Sequence, residues 1–162
     1  MNLRDRIDIS YPWHISVFQN VFGKKDLARY TQEFNCVEWD NLQDDESSWL
    51  RIHEHELFGI VEKAFGSMPD RMLFKYDTPG HKLQKPHKDK FAKTLQVFLS
   101  VENNALGGTV LNDNLPPSVS FELPLLSNSA TYFENNFKSW HSVTQRNLIR
   151  KSIIFRWNTH KN

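Results

Sequence analysis

The spacing of hydrophobic residues is helical in the first part of the chain and strand-like after residue 70. Segment 14–22, "HISVFQNVF", alternates and predicts a strand. Segment 23–34 spaces its apolar residues for a helix. Segment 47–66 carries a longer helical stripe, with serine at its start and Gly66 at its end. We therefore expect residues 1–70 to form mainly helical support.

From Arg71 onward, short apolar runs are separated by Gly, Pro, Asn and Asp. The runs are "RMLFKY", "TLQVFLSV", "GTVLN", "SVSFEL", "ATYFE", "WHSV" and "RKSIIFRW". Strict alternation is clearest at Leu95, Val97, Leu99 and Val101. No helix-length segment separates the runs, which favours an antiparallel sandwich or barrel over a parallel sheet. We expect this β core to span residues 71–158.

Composition indicates one globular domain over residues 1–162, since 39% of the chain is hydrophobic and 13% aromatic. The charged start "MNLRDRIDIS" resembles neither a signal peptide nor a membrane span, so we expect a cytoplasmic protein without a membrane partner. A net charge of +1 gives no sign of nucleic-acid binding. The single cysteine, Cys36, excludes an internal disulfide and a cysteine-built zinc site. Any metal site must therefore use nitrogen and oxygen ligands.

The run "HEHE" at 53–56 has the richest local density of metal-ligand residue types. It falls within the predicted helix 47–66, where residues two apart point in different directions. We therefore do not expect His53 and His55 to bind one metal ion together.

A second candidate lies in "KPHKDKF" at 85–91. In an extended strand, His87 and Asp89 share one face while Lys88 points away. His141, in the later run "WHSV", supplies a second imidazole. Two histidines and one carboxylate form the facial set that suits non-haem Fe(II) and leaves coordination positions open for catalysis.

Nine residues after His141, the run "RKSIIFRW" begins with Arg150. On a strand Arg150 and Ser152 face the same way, so a guanidinium and a hydroxyl can hold one carboxylate. This suits a small dicarboxylate whose other end chelates the metal, because the charges then cancel. Arg156, on the same strand face, and Arg146, in the preceding loop, remain alternative anchors.

Three ordered segments resemble the Fe(II)- and 2-oxoglutarate-dependent dioxygenases, specifically their prolyl-hydroxylase-like branch. They are "YDTPGHKLQKPHKD", "TLQVFLSVENNALGGT" and "HSVTQRNLIRKSIIFRW", and the resemblance covers about residues 71 to 157. It implies a mainly β fold with flanking N-terminal helices, a double-stranded β-helix of the jelly-roll, cupin-like type. The implied iron ligands and catalytic residues are His87, Asp89 and His141. The implied 2-oxoglutarate-binding residues are Arg150, Ser152 and Tyr76.

The resemblance also implies a reaction: O2 and 2-oxoglutarate are consumed, succinate and CO2 are released, and an unactivated carbon is hydroxylated. The implied substrate is a peptide, including a prolyl residue, or a small molecule. Because Asp89 is present, hydroxylation is favoured over halogenation. Two alternatives stay open. One is a cupin-like barrel that binds a metal or ligand without oxygenase activity, and the other is an interaction domain whose basic face contains Lys82, Lys85, Lys88, Lys90 and Lys93.

Overall fold

The computed structural model describes residues 1–39, 47–78, 84–101, 109–123, 126–143 and 149–158. Within these ranges the helices are α1 (Lys24–Asn35) and α2 (Leu57–Phe65). The strands are β1 (Arg6–Ile9), β2 (Ile15–Phe18), β3 (Ser47–Ile52), β4 (Arg71–Asp77), β5 (Gln84–His87), β6 (Lys93–Val101), β7 (Thr109–Asn112), β8 (Ser120–Glu122), β9 (Ser129–Glu134), β10 (Trp140–Val143) and β11 (Arg150–Trp157).

The strands form two antiparallel sheets. The seven-stranded sheet has the order β1-β2-β9-β6-β11-β4-β3, and the four-stranded sheet has the order β5-β10-β7-β8. Each described strand pairing is antiparallel. The predicted mainly β class, with antiparallel strands and few helices, is therefore confirmed.

Both helices cover the outer face of the seven-stranded sheet. Tyr30 and Phe34 are buried one helical turn apart on α1, and Leu57 and Val61 are buried in the same way on α2. These side chains join one buried cluster with the outward-facing residues of the strands, and Phe34 stacks on Phe74 at 5.3 Å between ring centroids. No helix in the described ranges is long and apolar enough to cross a membrane.

The inner face of the same sheet packs against the four-stranded sheet. A second buried cluster combines Ile15, Phe98 and Phe133 of the large sheet with Leu111 of the small one. Along β11 the faces alternate, because successive residues of a strand point to opposite sides. One side carries Ile153, Phe155 and Trp157 into the helix-facing cluster. The other side carries Arg150, Ser152, Ile154 and Arg156 toward the four-stranded sheet, where three of the four line a cavity.

The helix predicted for residues 47–66 was wrong in its first half. Residues 47–52 form β3, which pairs with β4 in a register that sets Leu50 beside Phe74. The apolar residues of this segment fit a strand as well as a helix, and pairing with a neighbouring strand decided between them. The helical half is α2, which ends at Gly66 in the left-handed conformation, with φ of 73°.

The alternation predicted along β6 holds only as far as Leu99. Phe98 pairs with Ser152 and Ser100 pairs with Lys151, so Leu99 is an extra residue in β6. Such a bulge shifts the following residues to the opposite face. Leu99 therefore packs in the helix-facing cluster, whereas Val101 packs between the sheets beside Phe98.

Candidate active site

A cavity of about 200 Å³ lies between the two sheets. Its described lining combines aromatic and aliphatic side chains with a group of charged and ligating ones. The ligating and charged residues of the lining are Lys75, His87, Asp89, His141, Arg150 and Arg156.

The structure brings His87, Asp89 and His141 together in this cavity. One ligand atom from each of the three residues lies within 4.8 Å of the other two. The small sheet sets this arrangement, since His87 on β5 and His141 on β10 are paired across strands with ring centroids 4.4 Å apart. Asp89 follows β5 rather than lying within it, but still faces the cavity. Two imidazoles and a carboxylate at this separation match the donor set that divalent iron takes.

Backbone carbonyls orient both imidazole rings. Nδ1 of His87 lies 2.9 Å from the carbonyl oxygen of Lys85, and Nδ1 of His141 lies 3.1 Å from that of Ser139. A carbonyl oxygen only accepts, so each Nδ1 carries a hydrogen, and in the neutral form of each ring Nε2 then presents a lone pair. A metal-ligating histidine is held in the same way by the hydrogen bond of its other nitrogen.

Asp89 is oriented by the strand beside it. Thr94 on β6 donates a hydrogen bond from Oγ1 to Oδ2 of Asp89, at 3.2 Å, and Oδ1 of Asp89 lies 3.9 Å from Nε2 of His141. Burial lowers the pKa of His141, although the charge of Asp89 opposes the effect. A neutral imidazole is the form that binds a metal.

A second charged group lies on the inner face of the large sheet. Asp77 accepts a hydrogen bond from Nε of Arg150 at 2.7 Å and forms an ion pair with Nζ of Lys75 at 2.8 Å. Arg150 also reaches Oγ1 of Thr109, at 3.4 Å. All three charged side chains are almost fully buried. Burial lowers the pKa of Lys75 against the opposing effect of Asp77. The group carries one net positive charge, which can accept an anion.

The other predicted 2-oxoglutarate-binding residues differ in their placement. Ser152 is buried on the same face as Arg150, and its hydroxyl accepts a hydrogen bond from Nε2 of Gln96 at 3.0 Å. Tyr76 is not brought to the cavity, because strand alternation turns it to the helix-facing side, where it packs on Phe34 and Trp39. Arg156 lines the cavity. Arg146, the other alternative anchor, lies outside the described residues.

The histidines of "HEHE" do not line this cavity. His53 and His55 lie between β3 and α2 rather than within a helix. Nε2 of His55 lies 2.9 Å from a carboxylate oxygen of Glu33, and Nδ1 of His55 accepts a hydrogen bond from the backbone N–H of Leu57. These contacts connect α1 to the start of α2, so His55 has a structural role.

Sequence reasoning missed Lys75 and Asp77. Their signal is present in "LFKYD", where two charged residues alternate with apolar ones in a strand. The ion pairs themselves depend on the register that sets Asp77 opposite Arg150 across β4 and β11. That register joins segments far apart in the sequence, and the hydrophobic pattern alone does not specify it.

Three solved structures resemble this chain over most of its length. A prolyl-4-hydroxylase from Pseudomonas putida matches with a TM-score of 0.66 and 10% identity, over 90% of this chain and 92% of that one. A 2OG-Fe(II) oxygenase family oxidoreductase from Burkholderia pseudomallei gives 0.62 and 13%, over 91% and 85%. A prolyl hydroxylase from Trichoplax adhaerens, in complex with a hypoxia inducible factor peptide fragment, gives 0.63 and 12%, over 89% and 83%.

No family model matches the sequence, and no curated protein matches it. The likeness therefore concerns the fold, and it agrees with the resemblance read from the three sequence segments. This chain has the fold of 2-oxoglutarate- and Fe(II)-dependent oxygenase structures, among them prolyl hydroxylases.

Proposed function

We propose that this protein is an Fe(II)- and 2-oxoglutarate-dependent dioxygenase that hydroxylates an unactivated carbon of a peptide or small molecule, with release of succinate and CO2. The observation that carries the proposal is the convergence of His87, Asp89 and His141 in the same cavity as the buried Arg150. A metal set with open positions and a carboxylate anchor are the two parts that binding of a 2-oxo dicarboxylic acid requires.

The fold proposed with this function is the double-stranded β-helix. From β4 to β11 the strands divide between the sheets as β9-β6-β11-β4 and β5-β10-β7-β8. Eight strands crossing between two antiparallel sheets are typical of a jelly roll. In this arrangement β5 and β10 carry the histidines, and β11 carries the arginine across the cavity from them.

In this proposal the chain holds its cofactor and cosubstrate with separate groups. Nε2 of His87, Nε2 of His141 and the Asp89 carboxylate would hold Fe(II), which supplies the redox chemistry that couples 2-oxoglutarate and O2 to hydroxylation. Arg150 would hold the distal carboxylate of 2-oxoglutarate, with Lys75 adding positive charge. Ser152 would act through Gln96, which it holds at the cavity wall.

Several side chains would keep the site dry. Trp13 and Phe133 pack against His141, with ring centroids at 6.3 and 5.6 Å. The indole N–H of Trp13 donates to the carbonyl oxygen of Trp140 at 3.0 Å, which fixes the ring. Apolar walls strengthen the electrostatic interactions of the ligands and anchor, because they lower the local dielectric.

Anaerobic absorption spectroscopy tests the proposal. Fe(II) and then 2-oxoglutarate are added to the metal-free protein, and the visible charge-transfer band of a 2-oxo acid chelated to Fe(II) is measured. We expect a band that needs both additions, is lost in His87→Ala and is unchanged in His53→Ala, which removes an exposed histidine outside the cavity. Absence of the band from folded, iron-loaded protein would overturn the proposal and favour a cupin-like binding barrel.

The same band identifies the anchor. Removing a charge-assisted hydrogen bond costs about 1.5–3 kcal/mol, or about a 10- to 100-fold loss of affinity. We expect Arg150→Gln to weaken 2-oxoglutarate binding by this factor and Arg156→Gln to leave the affinity within about twofold. The reverse result would reassign the distal carboxylate to Arg156.

A further inference from the structure

Arg156 is a cavity residue whose partners are aromatic rather than acidic. Its guanidinium carbon lies 4.5 Å from the ring centroid of Phe91 and 5.4 Å from that of Trp49. Its Nε is buried and has no hydrogen-bond partner. Rings on which a guanidinium stacks fix its plane and limit its mobility, yet leave its in-plane N–H donors unused. The side chain is thus held in a defined position with donor capacity to spare.

A second arginine lies directly opposite. Arg71 on β4 pairs in register with Arg156 on β11, and its guanidinium carbon is 5.4 Å from the same Phe91 ring. Within the described part of the chain, neither guanidinium forms an ion pair or a hydrogen bond. Like charges directly opposed across two strands destabilise a sheet. Arg71 is exposed and is not among the residues that line the cavity, whereas Arg156 lines it. An anion bound to Arg156 would relieve the repulsion between the two guanidinium groups.

The balance of charges around the cavity also favours the binding of an anion. Among the described residues, Lys75, Arg150 and Arg156 face the carboxylates of Asp77 and Asp89. A divalent metal and the dianionic cosubstrate would cancel each other. One positive charge then remains uncompensated. Asp77 is already engaged by Lys75 and Arg150, and Asp89 would be engaged by the metal, so Arg156 carries the excess.

We propose that the substrate to be hydroxylated carries a carboxylate, and that Arg156, held between Trp49 and Phe91, binds it. The inference rests on the proposed function and names the substrate class for that site. A planar guanidinium matches a carboxylate with two parallel hydrogen bonds, and Arg71 adds positive charge at the same ring. Because Arg156 and the metal-ligand triad line one cavity, a carboxylate at Arg156 holds the rest of the substrate beside the triad.

The anion site can be tested without turnover, by NMR of the ¹⁵N-labelled protein loaded with Zn(II) as a diamagnetic metal. The reporters are the Nε–H of Arg156 and the indole N–H of Trp49, identified by their loss in Arg156→Lys and Trp49→Phe. The probes are acetate and its neutral analogue acetamide, added at constant ionic strength with sodium chloride. Each titration is run before and after saturation with 2-oxoglutarate.

We expect acetate, but not acetamide, to shift both reporters saturably, with 2-oxoglutarate already bound. In Arg156→Gln the Trp49 response to acetate should weaken at least about tenfold, the loss of one charge-assisted hydrogen bond. Lys88→Gln is the matched control. It removes an exposed positive charge that contacts Trp140 instead, and it should leave the acetate response unchanged.

Two results would overturn the inference. The first is no saturable response of either reporter to acetate. The second is a shift of the Arg156 Nε–H on addition of 2-oxoglutarate that abolishes the acetate response, because Arg156 would then bind a carboxylate of the cosubstrate itself.

A different measurement shows whether the proposed function itself fails. In that case the charge-transfer band with Fe(II) and 2-oxoglutarate is absent whatever the acetate titration gives. A band without an acetate response would reject the carboxylate substrate and keep the dioxygenase proposal. An acetate response without a band would reject the dioxygenase proposal and leave Arg156 as the anion-binding residue of a different site.

Discussion

The two faces of β11 are built from alternate residues of one strand, yet their environments differ. On the helix-facing side, Ile153 and Phe155 are fully buried in an apolar cluster, and Phe155 and Phe58 form a T-shaped pair with 6.4 Å between ring centroids. On the cavity side, Arg150 is almost as deeply buried, but it needs Asp77 to compensate its charge. Arg156 lies there without an ion pair to any described residue, and the charge of Asp89 only opposes the lowering of its pKa by burial.

We interpret this difference as a division between stability and ligand binding within one strand. The apolar face gains free energy from burial alone, about 1.5–3 kcal/mol for a large side chain. The polar face must offset the cost of removing charges from water, which ion pairs only partly achieve. Buried charged residues of this kind are typical of functional sites, and ligand binding is the role that we propose for the cavity face.

The largest effect is expected from removing a metal ligand. Asp89→Ala should reduce succinate formation by more than about 100-fold, because loss of a residue that only orients a ligand already costs about 10- to 100-fold. Thr94→Val provides the graded control, since it removes the hydrogen bond to Asp89 but keeps the ligand. We expect a loss of about tenfold for it. Succinate formation is measured beside thermal unfolding, and a folded Asp89→Ala protein with full activity would refute the ligand assignment.

The second-largest effect is expected from removing one of the buried charges on the cavity face. Asp77→Asn keeps the side-chain shape but leaves Lys75 and Arg150 without the carboxylate that each contacts. Breaking a buried ion pair by removing one partner costs about 3–5 kcal/mol. Urea unfolding at pH 7 measures this free energy.

Glu62→Gln is the control for Asp77→Asn, because it neutralises an exposed carboxylate on α2. It should change the free energy of unfolding by no more than about 0.5 kcal/mol. Equal effects of the two substitutions would mean that Asp77 does not hold the cavity cations together.

A matched pair of substitutions compares the two faces directly. Ile153→Val and Ile154→Val remove the same methylene from adjacent buried residues, one facing the helices and one lining the cavity. Each should lower the free energy of unfolding by about 0.5–1.5 kcal/mol. Only Ile154→Val should also change 2-oxoglutarate affinity, measured by the charge-transfer band. An equal change for Ile153→Val would show that the faces are not functionally separate.

Local patterns in the sequence predicted more of the fold than of the site. Alternation located β4, β6 and β11 to within a residue or two, because each has one apolar face to bury. It mistook β3 for helix, since a short apolar run fits both periods until a neighbouring strand pairs with it.

In the site, residue types, their spacing on predicted strands and the family resemblance selected His87, Asp89, His141 and Arg150, which the structure places around one cavity. The sequence did not predict the ion pairs that complete the site. Lys75 and Asp77 meet Arg150 only through the register of β4 with β11. Tyr76 was predicted to bind 2-oxoglutarate in the cavity. It lies between Lys75 and Asp77 in the sequence, so strand alternation turns its side chain to the helix-facing side, against Trp39. Residue chemistry is local, whereas register is a property of the whole sheet.

The smallest effect is expected at an aspartate far from this register. Asp113, after β7, accepts hydrogen bonds from the backbone N–H groups of Ser118 and Val119 at 2.9 and 3.0 Å, and it also contacts the hydroxyl of Ser118. The hydrogen bond from the Ser118 hydroxyl and those from the backbone lower the pKa of Asp113 to about 2. A folded-state pKa below the ordinary 3.8 stabilises the fold at pH values above 3.8, and this contribution is lost as the pH falls through about 2.

Asp113→Asn should therefore lower Tm slightly at pH 6, and the difference from the unaltered protein should shrink steadily as melts are recorded toward pH 2. A difference that stayed constant across that range would show that the turn is held by its shape rather than by the charge of Asp113. Its partners lie within one loop, so this aspartate, unlike Asp77, stabilises only the segment that contains it.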